Sequence, residues 1–114
     1  MAILGVSTIF TWAVDMEGMV AFYRDVVGLE FIGHWGEWAS FQAGPTAIGL
    51  HATDPEGENY GGGWVLGLEV DTHEDLLERL NKAGIASEFH DIPNGRVLAF
   101  SDIEGNQVQA MRKN

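Results

Sequence analysis

The chain has no cysteine and only 6 lysines and arginines. It has no apolar run near the ~20 residues that a membrane-crossing helix needs. Each lack closes a route. Without cysteine there is no disulfide, no thiolate metal site and no cysteine nucleophile, a composition that fits a reducing cytosol. The few basic residues stand against 17 aspartates and glutamates, giving a net charge of −11. Nucleic acids are gripped by basic surfaces that neutralise phosphate, so no nucleic-acid partner is expected. An acidic surface either favours a cationic ligand or only keeps the protein dissolved. The opening MAILGVSTIF has no positively charged start and runs into polar residues. No signal peptide and no membrane partner are expected, and the protein is read as cytoplasmic.

What is present is a chain of 114 residues, 46% hydrophobic, enough to build a core without a metal or a disulfide. It also carries an internal repeat. At one constant offset Val14-Asp15 matches Val70-Asp71, Gly28 matches Gly84, Leu29 matches Ile85 and His34 matches His90. Each half opens with a strand (6–14 and 64–70) that ends at an aspartate suited to cap a helix. Met16, Met19, Val20, Tyr23 and Val27 then recur at helical spacing, as do Leu76, Leu77, Leu80 and Ala83. Gly28 and Gly84 stand where the helices stop. Turn residues split the remainder of each half into three short strands, 30–34, 38–43 and 46–52, then 87–91, 96–101 and 107–112. The polar, glycine-rich segment 54–63 reads as a linker between modules 1–53 and 64–114. The expected fold is α+β, two tandem βαβββ modules whose sheets enclose a cleft of the kind that holds small molecules.

This pattern resembles the vicinal oxygen chelate superfamily, which includes glyoxalase I, bleomycin-resistance proteins and extradiol dioxygenases. Asp15 with Phe22-Tyr23-Arg24-Asp25-Val26-Val27-Gly28-Leu29 is similar to the family's D…FYRDVLGL. Ser101-Asp102-Ile103-Glu104-Gly105-Asn106 is similar to its DPDGN turn. Here Asp102 and Asn106 are expected to build the turn rather than to do chemistry. The resemblance covers nearly the whole chain and implies a glyoxalase-like cleft. It also implies a homodimer, since relatives often dimerise and sometimes complete each cleft across the interface.

Family enzymes commonly hold a divalent metal between His, Gln or Glu side chains on the first and last strand of each half. The matching positions here are Thr8 (or Ile9, in the register of the internal repeat), Gly49, Val65 (or Trp64) and Gln109. At best Gln109 is a donor. The inherited metal site is lost on this reading, and no cofactor is expected. A rebuilt site would have to draw on His51, which shares strand parity with Gly49, on Gln109, and on His34 and His90 if these converge. The bland alternative makes His34, His73 and His90 surface residues.

The expected ligand-binding residues are Trp35, Trp38, Ser40, Gln42, Gly49, His51, Val65 and Gln109. Aromatic side chains offer large contact areas and hold cations over their faces. Trp35 and Trp38 line a pocket or dimer surface, or else pack in the core. Phe10 and Trp12 are expected to turn toward the helices as core. Glu69 shares the parity of Val65 and is the candidate catalytic residue, as a base or an amine partner, or else a water-exposed rim residue. The preferred reading is a metal-free protein that sequesters a small aromatic or cationic compound. The alternative is a lyase, isomerase or dioxygenase with a rebuilt metal site or acid–base residues.

Overall fold

The computed structural model describes residues 2–4, 6–54 and 63–114. Most of the expected linker, residues 55–62, lies outside the described residues. The elements run in order as β1 (Thr8–Ala13), α1 (Met16–Ala21), a π-helical segment (Phe22–Val27), β2 (Glu30–Trp35), β3 (Trp38–Ala43), β4 (Thr46–Ala52), β5 (Val65–Glu69), α2 (Glu74–Lys82), β6 (Ser87–Ile92), β7 (Gly95–Ser101) and β8 (Gln107–Lys113). Each half is a four-stranded sheet, ordered β1-β4-β3-β2 and β5-β8-β7-β6. The β1–β4 and β5–β8 pairs are parallel and the others antiparallel. This is the α+β fold of two βαβββ repeats that the sequence implied.

Local chemistry sets the helix limits. Asp15 caps α1, its Oδ1 accepting from the Gly18 amide at 3.0 Å. Gly28 and Gly84 end the helical stretches in the left-handed conformation, with φ of 88° and 74°. Two expectations for the second helix are corrected. Asp71 is not its cap, because the carboxylate turns back to the Thr72 amide at 2.7 Å and the helix begins later, behind His73. His73 is not solvated either. It is buried, with Nε2 2.8 Å from the Ala110 carbonyl oxygen and its ring 5.3 Å from Phe89. That hydrogen bond offsets the cost of taking a polar ring out of water.

The π-helical segment decides how the halves meet. Its wider turn, closed by the Gly28 amide on the Tyr23 carbonyl at 3.1 Å, leaves two consecutive aromatics buried. Phe22 lies 6.3 Å from Phe100 on β7, while Tyr23 lies 6.3 Å from Phe41 on β3. One short helical stretch therefore touches both sheets. Arg79 of α2 donates to the carbonyls of Val26 and Val27 at 2.8 and 3.1 Å, closing the end of that stretch.

Polar contacts reinforce the junction. The Tyr23 hydroxyl donates to Asp102 Oδ2 at 2.6 Å and accepts from Trp64 Nε1 at 3.2 Å. Asp102 also accepts from the Glu104 and Asn106 amides at 2.9 Å and from Asn106 Nδ2 at 2.8 Å, so it builds its turn as the motif implied. Glu104 reaches back to the first half and accepts from the amides of Val14 and Asp15. Burial, then the hydrogen bond to Asp102, push the Tyr23 phenol far above its ordinary pKa, which keeps it a donor.

The core is thus one cluster shared by both halves. It takes Ala39, Phe41, Ile48 and Leu50 from the first sheet and Leu66, Leu98, Phe100, Val108 and Ala110 from the second. Residues alternate across a strand, so the opposite faces of the two sheets point away from this core. Among the described residues, no ring contact or hydrogen bond joins one open face to the other.

Two stability predictions follow from this packing. Tyr23→Phe leaves Asp102 one donor short in the interior and should cost about 1–3 kcal/mol in chemical denaturation. The folded pKa of Tyr23 lies above its unfolded value of about 10. Its contribution is therefore whole below that pH and is lost as the pH climbs above it, by up to ~1.4 kcal/mol per pH unit. Tyr23→Phe should lack that alkaline loss. Thr11, on the core side of β1, has its Oγ1 buried without a hydrogen-bond partner among the described residues. Thr11→Val removes that hydroxyl and should raise stability by about 1 kcal/mol.

Candidate functional site

The open face of the first sheet is built in three rows that cross its strands. The first row is Trp12, His51, Trp38 and Trp35; the second is Phe10, Gly49, Ser40 and Gly33; the third is Thr8, Ala47, Gln42 and Glu30. Four aromatic or imidazole rings therefore border a row made mostly of small residues. Trp35, Trp38, Ser40, Gln42, Gly49 and His51 share this face, and for His51 and Gly49 strand parity implied it.

Phe10 and Trp12 share it too, which corrects their reading as core. β1 runs parallel to β4 in a register that sets Ile9 beside buried Ile48 and Thr11 beside buried Leu50. Thr11 and Ala13 are the buried residues of β1, and Phe10 and Trp12 fall on the other side. The family register, with Thr8 and Val65 on the open faces, holds over the register of the repeat. Trp64 instead reaches toward Tyr23, 5.7 Å between ring centroids.

Four of the rings, Phe10, Trp12, Trp38 and His51, form one contact cluster. His51 lies 4.6 Å from Trp12, 6.1 Å from Trp38 and 6.2 Å from Phe10, and Phe10 lies 5.5 Å from Trp12 and 5.4 Å from Trp38. Most pairs are edge-to-face, the arrangement favoured by the quadrupole of the rings. Gly49 and Gly33 make room for this. A methyl group on Gly49 would strike Cζ2 and Cη2 of the Trp38 indole, and one on Gly33 would strike Trp35. Two indoles are thus folded over two glycines. Phe10 and Trp35 remain 45% and 60% exposed, an unusual amount of open aromatic surface on one face.

The remaining candidates lie on the open face of the second sheet, where Glu69, Glu88, His90, Ser101, Gln107 and Gln109 are mixed with Val65, Val97, Ala99 and Met111. Gln109 borders a hollow of about 650 Å³ with Glu88, His90, Ser101 and Gln107. Val65 is exposed on β5. Glu69 pairs with Lys113 at 3.0 Å, both side chains more than half in water. Within one chain these residues do not meet the aromatic face. A larger groove of about 970 Å³ opens between the halves, bordered by Ile48, Leu66, Leu68, Leu76, Glu69 and Arg79. Its arginine is committed to the carbonyls of Val26 and Val27. Of the candidates, only Glu69 borders that groove, so the aromatic face remains the better candidate.

The donor set does not fit the divalent metal that the fold family implies. Among the described residues no group of three or more His, Asp or Glu side chains is placed to hold an ion. Thr8 and Gly49 lie on one sheet, Val65 and Gln109 on the other. The Trp38 ring fills the space into which an acidic side chain at position 49 would project. The histidines do not converge: His34 Nε2 lies 3.1 Å from the Gly36 carbonyl, and His90 lies 3.6 Å from Glu88 on the other sheet.

Gly49→Ala tests the face directly. The added methyl must lift the Trp38 indole, so near-ultraviolet circular dichroism and tryptophan emission should change, with a stability loss of about 1–3 kcal/mol. An unchanged spectrum would mean that the indole does not rest there.

Known proteins share this fold. No curated protein matches the chain. Its fold is that of an antibiotic-binding protein from Streptomyces sp. CB03234, 24% identical with a TM-score of 0.83, the match covering 100% of this chain and 99% of that one. A glyoxylase/bleomycin resistance protein/dioxygenase domain from Frankia sp. EAN1pec is 26% identical, with a TM-score of 0.79 over 99% of this chain and 100% of that one. A lactoylglutathione lyase from Agrobacterium tumefaciens is 22% identical, with a TM-score of 0.77 over 97% and 95%. The sequence profile of one superfamily matches residues 5–110. The chain belongs to the Glyoxalase/Bleomycin resistance protein/Dioxygenase superfamily.

Proposed function

We propose that this protein is a metal-free, cytoplasmic small-molecule-binding member of its superfamily, taking up a small planar aromatic or cationic compound on the aromatic face of its first sheet. The observation that carries this reading is the row Trp12–His51–Trp38–Trp35 beside the small-residue row of Phe10, Gly49, Ser40 and Gly33. Such a surface suits stacking and cation–π contact, and the net charge of −11 draws cations toward it. The antibiotic-binding protein that shares the fold is in keeping with this. The lyase that also shares it, with a TM-score of 0.77, is a reminder that fold alone does not choose.

The working form is a homodimer. The aromatic face is open in one chain, and the second-sheet face carrying Val65 and Gln109 points elsewhere. A second copy laying its second sheet over the first sheet would bring the two sets together at two equivalent sites, with a two-fold, self-complementary interface.

Proflavine and quinoline, a planar cation and a neutral ring, should quench tryptophan emission saturably. Trp38→Ala should abolish the effect while far-ultraviolet circular dichroism stays unchanged. Sedimentation should show a species twice the 12.5 kDa of the chain. A single 12.5 kDa species would remove the composite site. Elemental analysis of protein purified without chelators should find well below one metal per chain. A stoichiometric metal lost in His51→Ala would favour the enzyme reading.

A further inference from the structure

We infer that His51 selects among aromatic ligands by accepting a hydrogen bond at Nε2, so that the preferred ligand carries a phenolic O–H or a ring N–H. This rests on the proposed binding role of the aromatic face and adds what that face distinguishes.

The argument begins with the tautomer. His51 Nδ1 lies 2.9 Å from the carbonyl oxygen of Ala52, the next residue along β4. A carbonyl oxygen can only accept, so the proton of that contact sits on Nδ1. A neutral imidazole with its proton there keeps a lone pair at Nε2. Among the described residues no donor of the protein is hydrogen-bonded to Nε2. The ring is half-buried in the middle of the aromatic row, in register with Trp12 on one side and Trp38 on the other.

Among the neighbours the nearest other side-chain acceptor is the Ser40 hydroxyl, in the next row between Gly49 and Gly33. Trp12, Trp38 and Phe10 present ring faces and edges, and an indole N–H only donates. Gly49 and Gly33 carry no side chain. The Gln42 side-chain amide donates to the Gly44 carbonyl at 2.8 Å, one row beyond. A planar ligand stacked on these rings therefore has one side-chain acceptor in the aromatic row itself. A hydroxyl or ring N–H pointing at it completes an otherwise unused lone pair. A methoxy group in the same place offers nothing and is a little larger.

The test compares two probes of nearly equal shape, 6-hydroxyquinoline and 6-methoxyquinoline, by isothermal titration calorimetry at neutral pH. The hydroxyl compound should bind wild-type protein about three- to tenfold more tightly, the worth of one net hydrogen bond. In His51→Phe, which keeps a ring in the row, the two affinities should become equal. His51→Gln, whose Oε1 can accept, should restore part of the preference. Trp38→Ala should remove binding of both compounds, whichever group they carry. A ratio near one in wild type, with both compounds binding, overturns the inference and leaves the binding function standing. A preference that survives in His51→Phe overturns it as well. If neither compound binds, the binding function itself fails, and the inference fails with it.

Discussion

The wedge of Phe22 and Tyr23 between the two sheets is the constraint on which this structure depends. Two neighbouring residues of a π turn are buried against opposite sheets, with ring distances of 6.3 Å to Phe100 and to Phe41. The hydroxyl of Tyr23 is then tied to Asp102 in the turn before β8. Together these contacts spend the apolar face of each sheet on a single core. What is left to each sheet is its far side. The position of every candidate site residue follows from that division.

The two far sides differ in chemistry although the halves repeat. The first sheet offers rings and small residues, the second carboxylates, amides and a hydroxyl set among aliphatic side chains, with no aromatic ring but His90 among the described residues. Gly49 shows how the difference arose at one position. Where the family's metal enzymes project a donor, this chain has no side chain at all, and Trp38 lies over the gap. A stacking surface and a metal site compete for the same few cubic ångströms, and here the indole holds them.

Much of the fold was legible in the sequence. The FYRD and DIEGN motifs, the glycine stops and the alternating strands placed the eight strands and two α-helices of the described residues. The misreadings have physical causes. The repeat aligns the helices at one offset but not the first strands, and in a strand a shift of one residue turns every side chain to the other face. Phe10 and Trp12 were lost to the core by that slip. Counting back from Asp15 to Thr8 was the signal that could have recovered them. His73 was misjudged because the connection from Asp71 to Glu74 is longer than a simple cap, which lets the imidazole tuck under β8. The divergence of the open faces left no sequence signal. It depends on the burial of Phe22 beside Tyr23, a pairing that 3.6-residue periodicity does not show.

The shared core also insulates one far side from the other. Substitutions on surfaces that have no common partner tend to add their effects rather than interact. Within one chain, changes among Trp12, Trp38 and His51 should therefore leave Gln107, Gln109 and Ser101 undisturbed, and only a dimer contact would couple the two sets. A duplicated half of this kind is free to drift: one copy can exchange its chemistry residue by residue while the other, behind the same wall of side chains, keeps its own. The tandem repeat thus supplies two independently adaptable surfaces on one inherited frame.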